Sequence, residues 1–377
     1  MATISLCLIV KNEETVLARC LESVQGLFDE TIIVDTGSID STQKIAARYT
    51  SKLYSFPWNS DFAAARNFSF SKATQEYIFW MDADDVFKVS HMADFLSWKE
   101  KNFQNADMIY LPYYTAWDDA GKPLVSFDRE RIVRNHAGFS WEGRVHETLT
   151  HPHPEKITKL RLDIPIFHYS VKTTYSDRNL LIYKKQLAEG KTLSLRDTFY
   201  YARELLYHEN WDQAIHYFTT FLQDPAGWKE NKIEACRLLA QCYQHSSARE
   251  AALAILFYSF SFDIPRAEIC CSIGELFLQN SQYEQAIFWY RAALACSKDE
   301  TSGAFLLHDC YDYIPCMQLC VCYDRLGDTE KAELYHKKAG LYRPDTSAYL
   351  QNEKYFQSLK KKQQPSSPYS KMLHIIL

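Results

Sequence analysis

The stretch of sequence that decides the fold reads YIFWMDADD, residues 77–85. An apolar run ends abruptly in three carboxylates, those of Asp82, Asp84 and Asp85. Clustered ionised carboxylates repel one another and are costly to bury, so such a strand end needs a cation among them. Oxygen ligands suit a hard divalent ion that also binds a diphosphate. The stretch therefore predicts an enzyme that uses a phosphorylated donor.

Strand-like and helix-like segments alternate on both sides of this stretch. The strand-like segments are residues 4–10, 31–34, 52–58, 77–81 and 108–114, and the helix-like segments are 13–25, 40–49, 61–74 and 90–103. This alternation predicts a parallel sheet covered by helices, with ligands beyond the carboxyl ends of the strands. Polar residues 11–13, 35–37 and 82–85 follow three different strands, so we expect them to meet at one edge of the sheet.

A repeated pattern follows residue 177, where the sequence becomes helical throughout. The motif WDQAI at 211–215 returns as YEQAI at 283–287, with weaker copies at 249–253 and 330–334. A period of about 34 residues, an aromatic residue, a small residue and a closing proline are typical of tetratricopeptide repeats. A longer last interval contains an apparent insertion at 297–312. We predict a catalytic domain at 1–177, helical repeats at 178–355 and a polar tail at 356–377.

Composition and charge exclude several functional classes. The net charge is −5 and the chain has no long basic stripe, which argues against nucleic acid as the main partner. No apolar stretch reaches 18 residues, so no membrane span is expected, and the first ten residues lack the basic start of a signal peptide. The 11 cysteines include no C-x-x-C pair, which favours reduced, packed thiols and a cytoplasmic location.

Three motifs together resemble the family 2 glycosyltransferases of GT-A fold: SLCLIVKNEE at 5–14, IIVDTGSIDST at 32–42 and MDADD at 81–85. WNSDFAAARN at 58–67 and GRVHE at 143–147 are similar to a branch that carries tetratricopeptide repeats after its catalytic domain. That branch includes the glycocin (sublancin-type) peptide S-glycosyltransferases. The resemblance implies an α/β GT-A catalytic domain, Rossmann-like with a mostly parallel sheet, followed by an all-α repeat domain.

The resemblance also implies a site for a UDP-sugar. Asp35 matches the acid that bonds to uracil, Asp82 the first acid of the D-x-D motif, and Asp84 the second, which holds Mg²⁺ or Mn²⁺. The candidate residues for nucleotide-sugar binding are Val10, Asn12, Glu13, Asp35, Asp61, Arg66, Asp82, Ala83 and Arg134. The candidate metal ligands are Asp84, His168 and Asp82, and Asp85 is left open.

An inverting transferase needs one base opposite the leaving group. Glu147 or His146 lies in the segment where the family carries it, and we prefer Glu147, with His146 orienting it or binding the diphosphate. Arg131 or Arg134 would contact phosphate oxygens. They are three residues apart, on opposite faces of a regular strand, so at most one of them belongs to the site.

Each of these residues also has a purely structural interpretation. Asp35 would begin a turn and cap the next helix, and Asp61 with Arg66 would form an ion pair on one helix. His168 would be an ordinary packed histidine. Trp117, Trp141 and Tyr169 would fill the core instead of lining a sugar pocket.

The sequence as a whole predicts a metal-dependent, inverting glycosyltransferase. The expected donor is a UDP-sugar, with glucose favoured, and the expected acceptor is a Cys or Ser side chain of a peptide such as a bacteriocin precursor. The repeats would present the peptide or form a homodimer. Two alternatives remain: an acceptor on a cell-surface polysaccharide or lipid-linked sugar, and a non-enzymatic repeat scaffold, which the presence of all three acids disfavours.

Overall fold

A computed structural model describes residues 1–119, 121–171 and 176–363. The strands are β1 Ile4–Val10, β2 Glu30–Asp35, β3 Leu53–Ser55, β4 Tyr77–Met81, β5 Asp85–Phe87, β6 Met108–Trp117, β7 Pro123–Arg134, β8 Ser140–Glu142, β9 Thr148–Thr150, β10 Lys159–Arg161, β11 Ile166–His168 and β12 Leu306–Leu307. The catalytic-domain helices are α1 Leu17–Ser23, α2 Thr42–Ala46, α3 Phe62–Phe70 and α4 Met92–Glu100. Residues 364–377 of the predicted polar tail lie outside the described part.

From residue 178 onward the regular structure of the described chain is helical, apart from β12. The helices are α5 Arg178–Ala188, α6 Leu195–Tyr207, α7 Trp211–Gln223, α8 Lys229–His245, α9 Arg249–Tyr258, α10 Ala267–Gln279, α11 Tyr283–Ala295, α12 Tyr313–Arg325, α13 Thr329–Gly340 and α14 Ser347–Gln363. The expected order, a Rossmann-like sheet domain followed by helices, is confirmed.

The main sheet has the order β3-β2-β1-β4-β7-β6-β11-β5, with β10 beside β6. Strands β1 to β4 pair in parallel, as the alternation predicted. Strand β7 then runs antiparallel between β4 and β6, in a region where the sequence pattern looked irregular. The sheet is therefore mixed rather than purely parallel.

Alternating residues of the central strands pack on opposite faces of the sheet. Tyr77, Phe79 and Met81 face a core that is completed by α1, α2 and α4. Ile78 and Trp80 face a second core that contains α3 and Trp141. Because both faces of β4 are buried, its sequence is continuously apolar rather than alternating.

Each repeat motif found in the sequence lies at the beginning of a helix. WDQAI begins α7, YEQAI begins α11, and the weaker copies lie at the beginnings of α9 and α13. Helices α6 and α7 pack together, as do α10 with α11 and α12 with α13. The predicted C-terminal tetratricopeptide repeats are confirmed. All cysteines are free thiols, and all but Cys296 are buried.

Two compact units divide the chain. One comprises residues 1–255 with 299–306, and the other 256–298 with the residues from 307 onward. The change to helical structure does come at residue 178, where α5 begins. The first unit thus includes helices beyond that change, among them α5 and α6, whose region makes polar contacts with residues 143–147, described below. Within residues 1–119, 121–171 and 176–363, no helix combines the length and apolar character that a membrane crossing requires.

Candidate active site

The 82–85 turn connects β4 to β5 and places three carboxylates at the carboxyl end of β4. The Asp85 amide donates to the Asp82 carbonyl at 3.1 Å, and the Asp82 amide donates to Asp85 Oδ2 at 3.0 Å. These reciprocal bonds fix the turn and aim the acids in different directions. Each acid consequently has different partners.

Asp85 is the buried structural acid of the turn. Its Oδ2 lies 3.0 Å from Arg131 Nη1, and both side chains are fully buried. The Tyr113 hydroxyl donates to Asp85 Oδ1 at 2.8 Å. The Arg131 guanidinium lies over the Trp80 and Tyr113 rings, at 4.0 and 4.3 Å from their centroids. A buried charge pair with these hydrogen bonds anchors β7 and β6 to the turn.

Asp82 is bound by Arg66 of α3. Arg66 Nη2 donates to Asp82 Oδ1 at 2.7 Å, and Arg66 Nε donates to Glu147 Oε1 at 2.5 Å. Burial alone would raise the pKa of Asp82, but the positive charges of Arg66 and Arg131 outweigh it and hold this pKa well below its usual range. One guanidinium thus joins the first acid of the turn to the candidate base.

Asp84 differs from the other two acids because no arginine contacts it among the described residues. Burial raises the pKa of Asp84 to about 6; nearby His168 opposes the shift, and the charges of Asp82 and Asp85 add to it. An acid in this setting is repelled by its neighbours and is stabilised in its charged form by an added cation. That is the environment expected of a metal ligand.

His168 is brought to the turn by strand pairing over a long sequence distance. Strand β11 pairs antiparallel with β5, which sets His168 opposite Asp85. Its Nδ1 lies 3.4 Å from Asp84 Oδ1 and 2.7 Å from the Tyr113 hydroxyl. Burial lowers the pKa of His168, but the hydrogen bond to Asp85 and the charge of Asp84 outweigh it and raise this pKa.

The donor set fits a hard divalent cation. Ligand atoms of Asp84, Asp85 and His168 lie within 4.8 Å of one another. Asp85 already accepts bonds from Tyr113 and the Asp82 amide, which leaves Asp84 and His168 as the better ligands. When Tyr113 donates to Asp85, its oxygen accepts from His168 Nδ1, so the lone pair of the histidine ring is on Nε2. Carboxylate oxygens are the ligands that hard divalent cations prefer, and one imidazole nitrogen would complete the donor set.

The loops after β1 and β2 are joined by hydrogen bonds at the same edge of the sheet. The Asn12 amide donates to Ser38 Oγ at 2.9 Å, and Asn12 Oδ1 accepts from the Ile39 amide at 2.9 Å. The Glu13 amide donates to Thr42 Oγ1 at 2.7 Å. Val10, Asn12 and Glu13 therefore lie beside the loop that follows Asp35, as the parallel sheet predicted.

Asp35 forms the turn that the sequence indicated. Its Oδ2 accepts from the Gly37 and Ser38 amides, each at 3.1 Å, and from Gln43 Nε2 at 2.8 Å. Gly37 has a φ of 102°, a conformation that favours glycine. The structural role of Asp35 is thus observed, and its contact with uracil stays a prediction.

Other predicted residues lie in different settings. Asp61 accepts from the Ala64 amide at 2.9 Å as the N-cap of α3, and it forms no ion pair with Arg66 among the described contacts. The Ala83 side chain is buried in the core. Arg134 is not brought to the site: its strand residue is paired with Tyr77, at the amino end of β4, and its side chain contacts Asp107. Of the two candidate arginines on β7, Arg131 and Arg134, Arg131 is the one beside the acids.

The predicted aromatic residues divide between core and rim. Trp141 is buried, with its ring 5.1 Å from the Arg66 guanidinium and 5.0 Å from the Trp80 ring. Trp117 lies 4.5 Å from the Tyr169 ring. The Tyr169 amide donates to the Asp84 carbonyl at 2.8 Å, which places Tyr169 directly beside the acid turn.

The 143–147 loop connects β8 to β9 and carries the two candidate bases. Glu147 faces Arg66, as described above, and is buried. His146 faces away, toward α6: its Nε2 lies 2.9 Å from Glu204 Oε1, and its ring stacks on Tyr200. Adjacent residues of one loop therefore point to different partners, and Glu147 is the one joined to the acid turn.

Sequence reasoning missed four residues that shape this region: Trp80, Tyr113, Tyr200 and Glu204. The first two lie on strands and read as ordinary core residues. Tyr200 and Glu204 are four residues apart on α6, a spacing that puts both on one helix face. Their polar character on a buried face was the available signal, but their partner His146 is more than fifty residues away.

Comparison with known proteins identifies the sheet-bearing part. Residues 5–151 match the family model described as Glycosyl transferase family 2. A TPR repeat-containing protein of Synechococcus elongatus is 34% identical over 148 residues, 39% of this chain and 35% of the relative. The SPbeta prophage-derived glycosyltransferase SunS of Bacillus subtilis is 26% identical over 235 residues, 57% of this chain and 52% of the relative. The chain thus matches about half or less of the length of these relatives.

Solved structures also resemble the chain. S. aureus TarS 1–349 in complex with UDP-GlcNAc has a TM-score of 0.39 and 15% identity, over 69% of this chain and 92% of that one. YrrB, a TPR protein with an unusual peptide-binding site, has a TM-score of 0.36 and 17% identity, over 47% of this chain and 83% of that one.

Proposed function

Residues 5–151 belong to glycosyl transferase family 2, and from this premise we propose that the chain transfers a sugar from a UDP-sugar to a peptide side chain, with inversion at the sugar carbon. The observation that carries the proposal is that the three acids of the turn have different partners. Asp82 and Asp85 are paired with arginines, whereas Asp84, whose pKa burial raises to about 6, is contacted by no arginine among the described residues and has His168 as its cationic neighbour.

The donor site is built at the edge where β1, β2 and β4 end. Asp84 and His168 would hold Mg²⁺ or Mn²⁺, and such an ion stabilises the charge that develops on the departing diphosphate. Asp35 and the loop containing Asn12 would bind the uridine. Asp82, oriented by Arg66, would face the ribose. These are the roles that the family resemblance implies for these residues. The positions of their side chains are compatible with such roles.

Glu147 would act as the base that takes the proton from the acceptor. Its Oε1 is bound by Arg66 at 2.5 Å, which orients the carboxylate and leaves Oε2 as the oxygen for proton transfer. The acceptor atom attacks the sugar carbon as the bond to UDP breaks, and its proton moves to Glu147. UDP carries away the electron pair of the broken bond.

A peptide acceptor is supported by two features of the chain. Tetratricopeptide repeats, which offer extended concave binding surfaces, follow the transferase domain, and the motifs at 58–67 and 143–147 resemble those of the peptide S-glycosyltransferase branch. We propose a Cys or Ser side chain of a bacteriocin-like peptide as acceptor and UDP-glucose as donor. The repeats would hold the peptide or a second copy of the chain. We place the protein in the cytoplasm, with sequence modules at 1–177 and 178–355.

Mass spectrometry of peptides tests this proposal. Cysteine- and serine-containing peptides would be incubated with the purified chain, a panel of UDP-sugars, and Mn²⁺ or Mg²⁺, with and without prior alkylation of cysteine. A hexose mass shift that disappears after alkylation identifies a cysteine acceptor; one that persists identifies a hydroxyl.

The controls separate the reaction from its acceptor. The Asp84→Asn variant should give no mass shift on any peptide. Transfer to a polysaccharide or lipid-linked sugar, but to no peptide, would replace the acceptor assignment and keep the donor chemistry. Absence of transfer and of UDP release with every donor would overturn the proposed function.

A further inference from the structure

Helices α5 and α6, which follow the sheet-bearing part, make a convergent set of contacts with the 143–147 loop. Arg144 Nη2 lies 3.0 Å from Glu189 Oε2, just after α5. Arg196 Nε, on α6, donates to the His146 carbonyl at 3.1 Å. His146 itself contacts Glu204 at 2.9 Å. Helix α6 and the residue after α5 therefore contact two residues of this five-residue loop, Arg144 and His146.

His146 is the centre of this contact. Its ring lies 4.3 Å from the Tyr200 ring at an interplanar angle of 16°, a stacked arrangement. Burial lowers the pKa of His146, although the hydrogen bond to Glu204 opposes the shift. A neutral imidazole that donates from Nε2 to Glu204 fits both observations. The Glu204 side chain is itself almost completely buried, and it also accepts from Asn179 Nδ2 at 3.2 Å.

The loop needs such support because its backbone is unfavourable. His146 has a φ of 50°, in the left-handed region that residues other than glycine rarely adopt. A residue keeps this conformation when surrounding contacts over-determine it. Here the ring stack, the bond to Glu204 and the bond from Arg196 all act on the same residue.

The next residue along the loop is Glu147, which faces the opposite way, toward Arg66. The conformation at His146 therefore sets the direction in which Glu147 leaves the loop. Through Arg66 the same constraint extends to Asp82 of the acid turn. A continuous series of contacts links α6 to the proposed base and to the first of the three acids.

We propose that Glu204 and Tyr200 are positioning residues for the transfer reaction, which fix the 143–147 loop through His146 so that Glu147 faces Arg66. His146 acts in this arrangement through the backbone and takes no proton from the acceptor. Helix α6 then has two roles: it positions the 143–147 loop for the reaction, and it is part of the helical repeat region. This inference rests on the proposed function for the role of Glu147, whereas the loop constraint stands on geometry alone.

The test uses the full chain with four substitutions. Glu204→Ala removes the partner of His146, and Glu204→Gln keeps an oxygen that accepts the same bond. Tyr200→Leu removes the stacked ring without exposing a buried charge, so it serves if Glu204→Ala folds poorly. Glu234→Ala is the matched control, because it breaks an ion pair with Arg237 at 2.7 Å on α8. Thermal unfolding of each variant checks that it is folded.

Amide hydrogen exchange supplies the readout that does not depend on activity. Exchange within residues 143–149 should be faster in Glu204→Ala and in Tyr200→Leu than in the unaltered chain, and unchanged in Glu234→Ala. Glu204→Gln should lie close to the unaltered chain. Unchanged exchange in both Glu204→Ala and Tyr200→Leu would overturn the loop constraint.

Steady-state kinetics test the positioning role, with transfer to an identified acceptor or, without one, release of UDP from the donor. We expect kcat to fall about 10- to 100-fold in Glu204→Ala, since a misplacement of about 1 Å costs that much. KM for the donor should change less than twofold, and Glu204→Gln should recover most of kcat. Faster exchange with unchanged kcat would overturn positioning. If the unaltered chain has no activity, both the proposed function and the positioning role are wrong. The hydrogen-exchange result still tests whether Glu204 and Tyr200 constrain the loop.

Discussion

The 82–85 turn and the 143–147 loop meet at Arg66 but are held in place by different means. The turn follows a fully buried strand and closes through bonds between Asp82 and Asp85, and Arg131 also binds Asp85. The loop is short, has an unfavourable backbone at His146, and is held by side chains from α5 and α6. The turn thus has closing bonds between its own residues, whereas the side-chain contacts described for the 143–147 loop come from α6 and the residue after α5.

This difference has consequences for function. Substitutions in the turn should remove chemistry while leaving its backbone in place, because the turn is anchored by a buried strand. Substitutions around the loop should act through position, and their effects should spread from residues that contact no substrate. Arg66, which binds Asp82 and Glu147, is the point where the two regions can be separated experimentally.

The largest effect is expected at Asp84. Asp84→Asn should lower sugar transfer by about 1,000-fold, or about 4 kcal/mol, because the diphosphate charge loses its metal-ion stabilisation. A coupled assay of UDP release, with and without added Mn²⁺, measures it. The exposed Asp94→Asn on α4 is the control. Transfer that survives in Asp84→Asn, or that a chelator leaves unaffected, would contradict the metal assignment.

Substitution of Arg66 should damage both regions at once. Arg66→Met leaves Asp82 and the buried Glu147 without their shared cation and should cost about 3 kcal/mol of unfolding free energy, the order expected for a broken buried pair. Urea denaturation followed by tryptophan fluorescence measures this loss, with the exposed Arg48→Met as the comparison. An unchanged unfolding midpoint would show that the two acids do not need Arg66.

Glu147→Gln should separate chemistry from binding. We expect kcat to fall about 100-fold, near 2.7 kcal/mol, because the amide cannot accept the proton. Binding of the UDP-sugar, measured by calorimetry, should persist within a few-fold. The exposed Glu142→Gln, five residues earlier, is the matched variant. If Glu147→Gln turns over at the normal rate, the base lies elsewhere and the loop has only a structural role.

The smallest effect is expected at the edge of the loop. Arg144 and Glu189 form a partly exposed pair, with side-chain exposures of 20% and 36%. Solvent screens such a pair, so it contributes little to stability, and Arg144→Ala should shift the unfolding midpoint only slightly. Thermal unfolding in low and high salt checks this. A loss as large as that of Glu204→Ala would mean that the loop is held mainly at Arg144 rather than at His146.

The parts of the site that could be read from sequence are those with local signals. The apolar run before Asp82, the β-branched strand before Asp35 and the glycine after it predicted strand ends at one edge, and the structure places the acids there. Strand β7 was not predicted, because charged residues such as Arg131 interrupt the alternation of apolar and polar residues along it. Its charges are buried against distant partners, Asp85 for Arg131 and Arg161 for Asp128.

The choice among similar residues also needed three dimensions. Arg131 and Arg134 are both arginines of one strand, and only their positions along β7 decide that Arg131 contacts the acids. His146 and Glu147 are adjacent, and only the contacts of α6 decide which of them points to Arg66. Neither distinction is encoded by residue type or spacing, because the partners are separated by long stretches of chain.

The sequence by itself determined the alternation of strands and helices, the edge of the sheet where three polar clusters meet, and the helical repeats, because each depends on periodicity and short-range turn chemistry. Tertiary structure decided which of the three acids is contacted by no arginine among the described residues. Asp82, Asp84 and Asp85 are chemically identical side chains within four positions, and they differ only because two of them meet buried arginines from α3 and β7.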